Sequence, residues 1–331
     1  MRRREFITVL GGAAAWPLAA RAQQDGRVRR IGVLMNGAAN DAQSQSHLAA
    51  FSEGLRQLGW IEGQNLQVEV RWTVGDVGVA RIYAAQIIGL MPDVILAQNT
   101  INLTVLQQAT STVPVVFLGV SDPVAQGFVA SMTRPGGNVT GFSAYEFSIG
   151  GKWLGLLKEV VPGLERVAIM FNPEESPQSK FFVQAVETAA RSRVVQVTTL
   201  PVLAVADIES ALASFAHQPN GGLILPTSGF TYSHFSLIGD AAARYRVPSI
   251  AAQSPFAMVG GLMEYGSILD LTGQFRQAAG YIDRILKGTK PGDLPIQGRT
   301  RYKFVINLKT AKALGLDVPP GVLAIADEII E

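Results

Sequence analysis

Arg30-Ile31-Gly32-Val33-Leu34-Met35 is a short apolar run, and beyond it residues 47–58 set Leu48, Phe51, Leu55 and Leu58 on one helical face. The first segment reads as a buried strand and the second as the helix that covers it, closed by Gly59. The couplet recurs down the chain. Leu66-Gln67-Val68-Glu69-Val70-Arg71-Trp72 alternates apolar and polar residues, the pattern of a half-exposed strand near a sheet edge. Helices are predicted at 78–90 and 101–110, and strands at 93–97 and 114–118. A short helix at 124–131 leads to the turn Arg134-Pro135-Gly136-Gly137-Asn138 and a strand at 139–142. The pattern then restarts with a helix at 149–160. Strands follow at 166–171, 194–199, 222–225 and 248–251 with helices between, then a short strand at 261–265. A long helix over 269–287 stops at Gly288. Pro291-Gly292-Asp293 and Pro295 mark a linker, before a strand at 301–306 and helices at 308–314 and 320–330.

Strand and helix in alternation imply parallel sheets with helices on both faces. Two rounds imply two lobes. The expected fold class is therefore α/β, with two doubly wound parallel-sheet lobes joined by hinge crossovers near 142, near 266 and within 288–302. Lobe 1 is expected to take 28–142 plus about 267–290, and lobe 2 to take 143–266 plus about 300–331.

Residues 1–22 stand apart. Arg2-Arg3-Arg4 is followed by an apolar stretch over 7–20 and then by Ala20-Arg21-Ala22. Charged, apolar, small is the order of a secretory signal, with cleavage expected near Ala22-Gln23. Arg3-Arg4-Glu5-Phe6-Ile7 fits the twin-arginine pattern, and an ordinary export signal with an extra arginine is the alternative. The whole chain carries +2, while residues 1–22 carry +3, which leaves −1 on the mature portion. That balance gives no electrostatic case for nucleic acid or for an anionic membrane. There is no cysteine, hence no disulfide, no thiolate metal site and no lipid attached through Cys. No apolar run after residue 22 is long enough to span a bilayer. With 48% apolar residues, the remaining length suits two domains of about 150 residues. The sequence points to a soluble periplasmic monomer.

In open parallel sheets, ligands bind beyond the C-terminal ends of the strands. The polar residues there are the candidate ligand contacts: Asn36, Thr100, Ser121, Asp122, Ser143, Tyr145, Asn172, Thr227, Gln253 and Tyr265. Asn, Ser, Thr and Asp at such places also cap the following helix, so each has a purely structural reading beside the functional one. Asp122 could hold an ammonium group, and Tyr145 or Tyr265 could stack on a planar ligand. Glu264, after Leu262-Met263, can simply face solvent.

Catalytic patterns are scarce. His47, His217 and His234 show no metal-ligand spacing, and no nucleophile elbow, dinucleotide fingerprint or Walker loop occurs. Gly150-Gly151-Lys152-Trp153 lacks the Ser or Thr that a Walker loop requires. No enzyme activity, cofactor or metal is expected.

Five segments together carry a resemblance. They are Phe51-Ser52-Glu53-Gly54-Leu55-Arg56-Gln57-Leu58-Gly59-Trp60-Ile61-Glu62-Gly63, Asp122-Pro123-Val124 with the turn at 134–141, Gly260-Gly261-Leu262-Met263-Glu264-Tyr265-Gly266, Ile285-Leu286-Lys287-Gly288, and residues 305–316. The mature chain resembles the substrate-binding proteins of ABC transporters, in particular the tryptophan- and tyrosine-binding components. The resemblance implies the type I periplasmic binding fold, closure about a hinge on a small solute, and delivery to a permease with a separate ATPase. Phe230 and Tyr232 near the cleft rim would be candidate permease contacts. An aromatic amino acid would suit Asp122 for its ammonium and Tyr145 or Tyr265 for its ring. A sensor feeding a signalling receptor, or a periplasmic hydrolase on the same scaffold, are the alternatives. One departure is the signal, since many relatives carry a lipid-attachment Cys and this chain has none.

Overall fold

The computed structural model describes residues 27–267, 270–298 and 301–331. The secretory-signal reading of residues 1–22 lies outside the described residues. Two sheets organise the chain. The first holds β1 (Arg29–Met35), β2 (Leu66–Trp72), β3 (Val94–Gln98), β4 (Val115–Val120) and β5 (Val139–Ser143) in the order β2-β1-β3-β4-β5, every pair parallel. Between them run α1 (Ala42–Gln57), α2 (Val77–Gly89) and α3 (Asn99–Ala109). β1 is buried because its apolar run sits inside the sheet, whereas the alternating β2 lies at the edge and stays half-exposed.

The second sheet begins after α4 (Ile149–Val160). It comprises β6 (Arg166–Phe171), β7 (Gln196–Pro201), β8 (Gly221–Leu225), β9 (Ser249–Ala251), β10 (Met263–Ser267), β11 (Tyr302–Asn307) and β12 (Glu328–Ile330), ordered β12-β11-β10-β9-β8-β6-β7. Its helices are α5 (Ser179–Arg191), α6 (Val205–Ala216), α7 (Gly229–Ser233), α8 (Phe235–Arg244), α10 (Leu308–Leu314) and α11 (Pro320–Ala324), while α9 (Leu271–Leu286) returns to the first sheet.

Each sheet has its own core. Phe51 and Leu55 of α1 meet Phe275, Ala278 and Ile282 of α9 over the first sheet. In the second, Trp153 of α4 packs with Phe182 and Phe147, and its indole N–H donates to the Tyr265 carbonyl at 2.7 Å. The chain passes between lobes after β5, between β10 and α9, and between α9 and β11. These passages are tied together. The Ser143 N–H donates to the Gln297 carbonyl at 2.8 Å, and the Ser267 hydroxyl to the Ala144 carbonyl at 3.3 Å.

Three local expectations are corrected. Residues 124–131 form turns, not a helix: the Phe128 N–H returns to the Pro123 carbonyl, and Gly127 at φ +76° sends the chain out of the helical path. β11 runs antiparallel to β10, so the second sheet is not wholly parallel. Residues 320–330 do not make one helix, because Glu328–Ile330 pairs with β11 as the edge strand and α11 ends at Ala324.

Candidate functional site

The two sheets present the C-terminal ends of their parallel strands to one cleft. From the first lobe come Asn36 after β1, Gln98, Asn99 and Thr100 where β3 becomes α3, and Ser121 after β4. From the second come Ser176 and Gln178 after β6, Thr227 and Ser228 after β8, and Gln253 after β9. Tyr145 sits between them at the hinge. The space they enclose measures about 220 Å³ and opens onto a larger chamber of about 600 Å³, with Asn36, Gln98, Tyr145 and Gln253 lining both.

The first-lobe wall is pre-set by its own hydrogen bonds. The Asn36 N–H donates to Gln98 Oε1 at 3.0 Å, and the Asn99 amide donates to Asn36 Oδ1. Asn99 adopts φ +76°, a left-handed conformation that Asn tolerates better than most residues, and its Oδ1 caps the Asn102 N–H at 3.0 Å. The second-lobe wall is less satisfied. Gln178 stands at the N-terminus of α5 without a capping bond. The buried Oε1 atoms of Gln178 and Gln253 have no hydrogen-bond partner.

Six of the ten sequence-derived contacts line this cleft: Asn36, Thr100, Ser121, Tyr145, Thr227 and Gln253. The other four are not brought to it. The Asp122 carboxylate accepts the Ala125 N–H at 3.0 Å and the Phe147 N–H at 3.3 Å. Asp122 and Ser143 line a separate cavity at the back of the hinge. Asn172 is buried, with its Oδ1 accepting the Glu174 and Glu175 N–H groups, so it caps its own turn. Tyr265 stacks on Tyr302 at 5.8 Å and packs on the lobe 2 core. Because successive strand residues face opposite sides, it is the neighbours Glu264 and Gly266 that face the cleft.

Other site residues escaped the sequence reading. Gln178 lies too far beyond β6 for the strand-end rule. Glu264 does not face solvent: it is 4% exposed, accepts the Ala257 N–H at 3.1 Å, and is pushed above the ordinary carboxylate range by burial. His47 does not start its helix. Asp41 caps α1 from before Ala42, and this earlier start turns Ser44 and His47, three residues apart, toward the larger chamber. Burial pushes His47 below the usual imidazole range. Phe230 packs in a lobe 2 core, whereas Tyr232 is exposed and lines the larger chamber.

The Tyr145 hydroxyl donates to the Ala252 carbonyl at 2.8 Å, tying the hinge to the end of β9. Tyr145→Phe is expected to lower stability by about 1–3 kcal/mol in urea unfolding, because the buried carbonyl loses its donor. An unchanged midpoint would show that the bond contributes nothing.

Amides and hydroxyls make up most of this lining, with Glu175 among them and Glu264, Asp270, Lys303 and His47 around the larger chamber, and a cleft of this kind between two lobes suits a small polar solute. A family model described as "ABC transporter substrate binding protein" matches residues 31–330. The chain belongs to this family. A curated relative, the tyrosine-binding protein of Clostridioides difficile (strain R20291), is 26% identical over 266 residues, covering 80% of this chain and 75% of that protein. Among solved structures, a conserved domain protein from Vibrio cholerae is 26% identical with a TM-score of 0.76, covering 92% of this chain and all of its own. The ABC domain from Streptococcus pneumoniae in complex with L-Trp has a TM-score of 0.73 at 24% identity, covering 91% of this chain and 99% of that one. The fold is that of the type I periplasmic binding proteins. Among the described residues, no helix is long and apolar enough to cross a membrane, and no group of His, Asp and Glu side chains could hold a metal ion.

Proposed function

We propose that this protein captures a small solute between its lobes in the periplasm and hands it to a membrane permease with its own ATPase. An aromatic amino acid or a related compound is the proposed solute. Under this reading the protein works as a monomer, the cleft carries out no chemical step, and residues 1–22 serve export. The observation that carries it is the pair of orphaned acceptors on Gln178 and Gln253 in a cleft that draws most of its polar lining, amides and hydroxyls with Glu175, from both lobes. A buried acceptor without a donor costs about 1–3 kcal/mol. A solute that supplies N–H or O–H groups to one lobe while touching the other binds the closed arrangement better than the open one, and only such a difference drives closure. The tyrosine-binding relative and the L-Trp complex make aromatic amino acids the first class to try.

Titration calorimetry with L-tyrosine and L-tryptophan tests the reading. Binding is expected. At about 100 times its dissociation constant, the true solute adds roughly 2.7 kcal/mol of stability. Gln178→Ala combined with Gln253→Ala is expected to weaken binding by about five- to 150-fold, as two hydrogen bonds of roughly 0.5–1.5 kcal/mol each are removed. Silence toward aromatic amino acids, with binding of another class, moves the ligand and leaves capture standing. Binding untouched in the double variant places the solute elsewhere.

A further inference from the structure

We propose that the larger chamber of the cleft is a cation subsite, in which the Glu264 carboxylate receives a positively charged amine of the captured solute. The inference rests on the cleft being the capture site and adds the class of solute. Glu264 is 4% exposed, yet its side chain lines a cavity of about 600 Å³. An ionised carboxylate offers about four acceptor positions. The Ala257 N–H, at 3.1 Å, and the neighbouring Ser254 hydroxyl take two of them.

Of the other charged or titratable side chains around the chamber, only Lys303 answers this charge, and it does so in part. Lys303 is ion-paired with Glu328 on the neighbouring edge strand. Asp270 is exposed and caps α9 through the Gly273 N–H at 2.7 Å. His47 enters from the opposite lobe, stacked on Phe275 at 5.1 Å, and burial disfavours its protonated form. Its Nδ1 has no hydrogen-bond partner although the residue is only 5% exposed. A buried carboxylate is tolerated when an opposite charge and hydrogen bonds meet it, and is expensive otherwise. Burial pushes the Glu264 carboxyl up, and the Ala257 N–H, the Ser254 hydroxyl and Lys303 pull it back down. A solute ammonium would act in the same direction as those three, and with three N–H donors it could bond Glu264 and turn a further donor toward lobe 1. Neutral sugars and simple carboxylic acids lack that charge.

The test uses calorimetry on the full protein and on Glu264→Gln at pH 7.4. The amine probes are L-tyrosine, tyramine and spermidine, against 3-(4-hydroxyphenyl)propionate and D-arabinose, which lack an amine. Glutamine keeps the volume and an acceptor for the Ala257 N–H, so the variant should fold, as circular dichroism will check. At least one amine probe is expected to bind the unaltered protein at least tenfold more tightly than either amine-free probe, and to lose at least tenfold in Glu264→Gln. A loss below tenfold in a folded variant overturns the inference. So does an amine-free probe binding the unaltered protein as tightly as the best amine; that comparison needs no variant. In both cases binding is still seen, so solute capture survives. If none of the five probes binds, this inference falls, and capture stands or falls with the other solute classes.

Discussion

Trp153→Ala is expected to cost about 3–5 kcal/mol, the range for truncating a fully buried aromatic side chain. Trp153 is 0% exposed and sits where α4 meets the second sheet. Its ring contacts Phe182 at 5.3 Å, and Phe182 in turn makes an edge contact with Phe147 at 4.8 Å. The substitution therefore opens a cavity beside two other aromatics. It also removes the donor from the Tyr265 carbonyl, a group of β10. Because the lobes have separate cores, the loss falls on the unfolding transition of the second lobe. For a domain of this size each kcal/mol moves Tm by about 2–4 °C, so a drop of roughly 10 °C is expected. Trp153→Phe, which keeps most of the apolar bulk but not the N–H, should recover more than half of it. Calorimetric scans of both variants decide the matter. Equal drops would put the whole effect on the hydrogen bond, and no drop would mean that the α4 face contributes nothing to the core.

The fold was legible because its signals are local. The apolar run of β1 and the alternating β2 each state their own position in the sheet. The helical face of α1 also reads correctly at Phe51 and Leu55. What the sequence did not disclose depends on pairing across distance. Glu328-Ile329-Ile330 continues a helical pattern on paper, and only the free edge of β11 makes it a strand. Glu264 is the sharper case. Acidic residues are mostly exposed, so a solvent-facing reading is natural. Its burial follows from β10 lying between β9 and β11, with one face turned to the hinge side of the cleft.

The candidate site divided along a similar line. Asn36, Thr100 and Thr227 lie at strand ends and face the cleft, as the rule for open sheets anticipates. Asp122 and Asn172 also lie at strand ends, but their side chains are short and acceptor-bearing, and backbone N–H groups claim them first. No single sequence distinguishes these two fates. The cleft itself adds a discriminating trait: acceptors such as Gln178 Oε1 and Gln253 Oε1 sit on longer side chains that do not cap their own turns.

Gly266→Ala is expected to cost roughly 3 kcal/mol, at the upper end of overpacking, and to weaken solute binding as well. A Cβ at this position would lie 1.7 Å from the Ala252 carbonyl oxygen, 2.8 Å from its carbon and 3.0 Å from the Tyr145 hydroxyl. The cost is one of contact: the carbonyl belongs to the backbone just beyond β9, so it cannot rotate aside as a side chain would. The oxygen that must move is also the one that accepts the Tyr145 hydroxyl at 2.8 Å. Displacing it disturbs the tie between hinge and second lobe and shifts Gln253, the next residue and part of the cleft wall. Two measurements separate the causes. Urea unfolding reads the stability loss, and calorimetry under native conditions reads the affinity of whatever solute the unaltered protein binds. Combining Gly266→Ala with Tyr145→Phe tests the geometry directly. If the hydroxyl were the obstacle, its removal would restore stability. Since the carbonyl is closer by more than 1 Å, the double variant should be no more stable than Gly266→Ala alone. Full rescue would mean that the strand yields at Ala252, and that the close approach of these two backbones is not what holds the second lobe against the hinge.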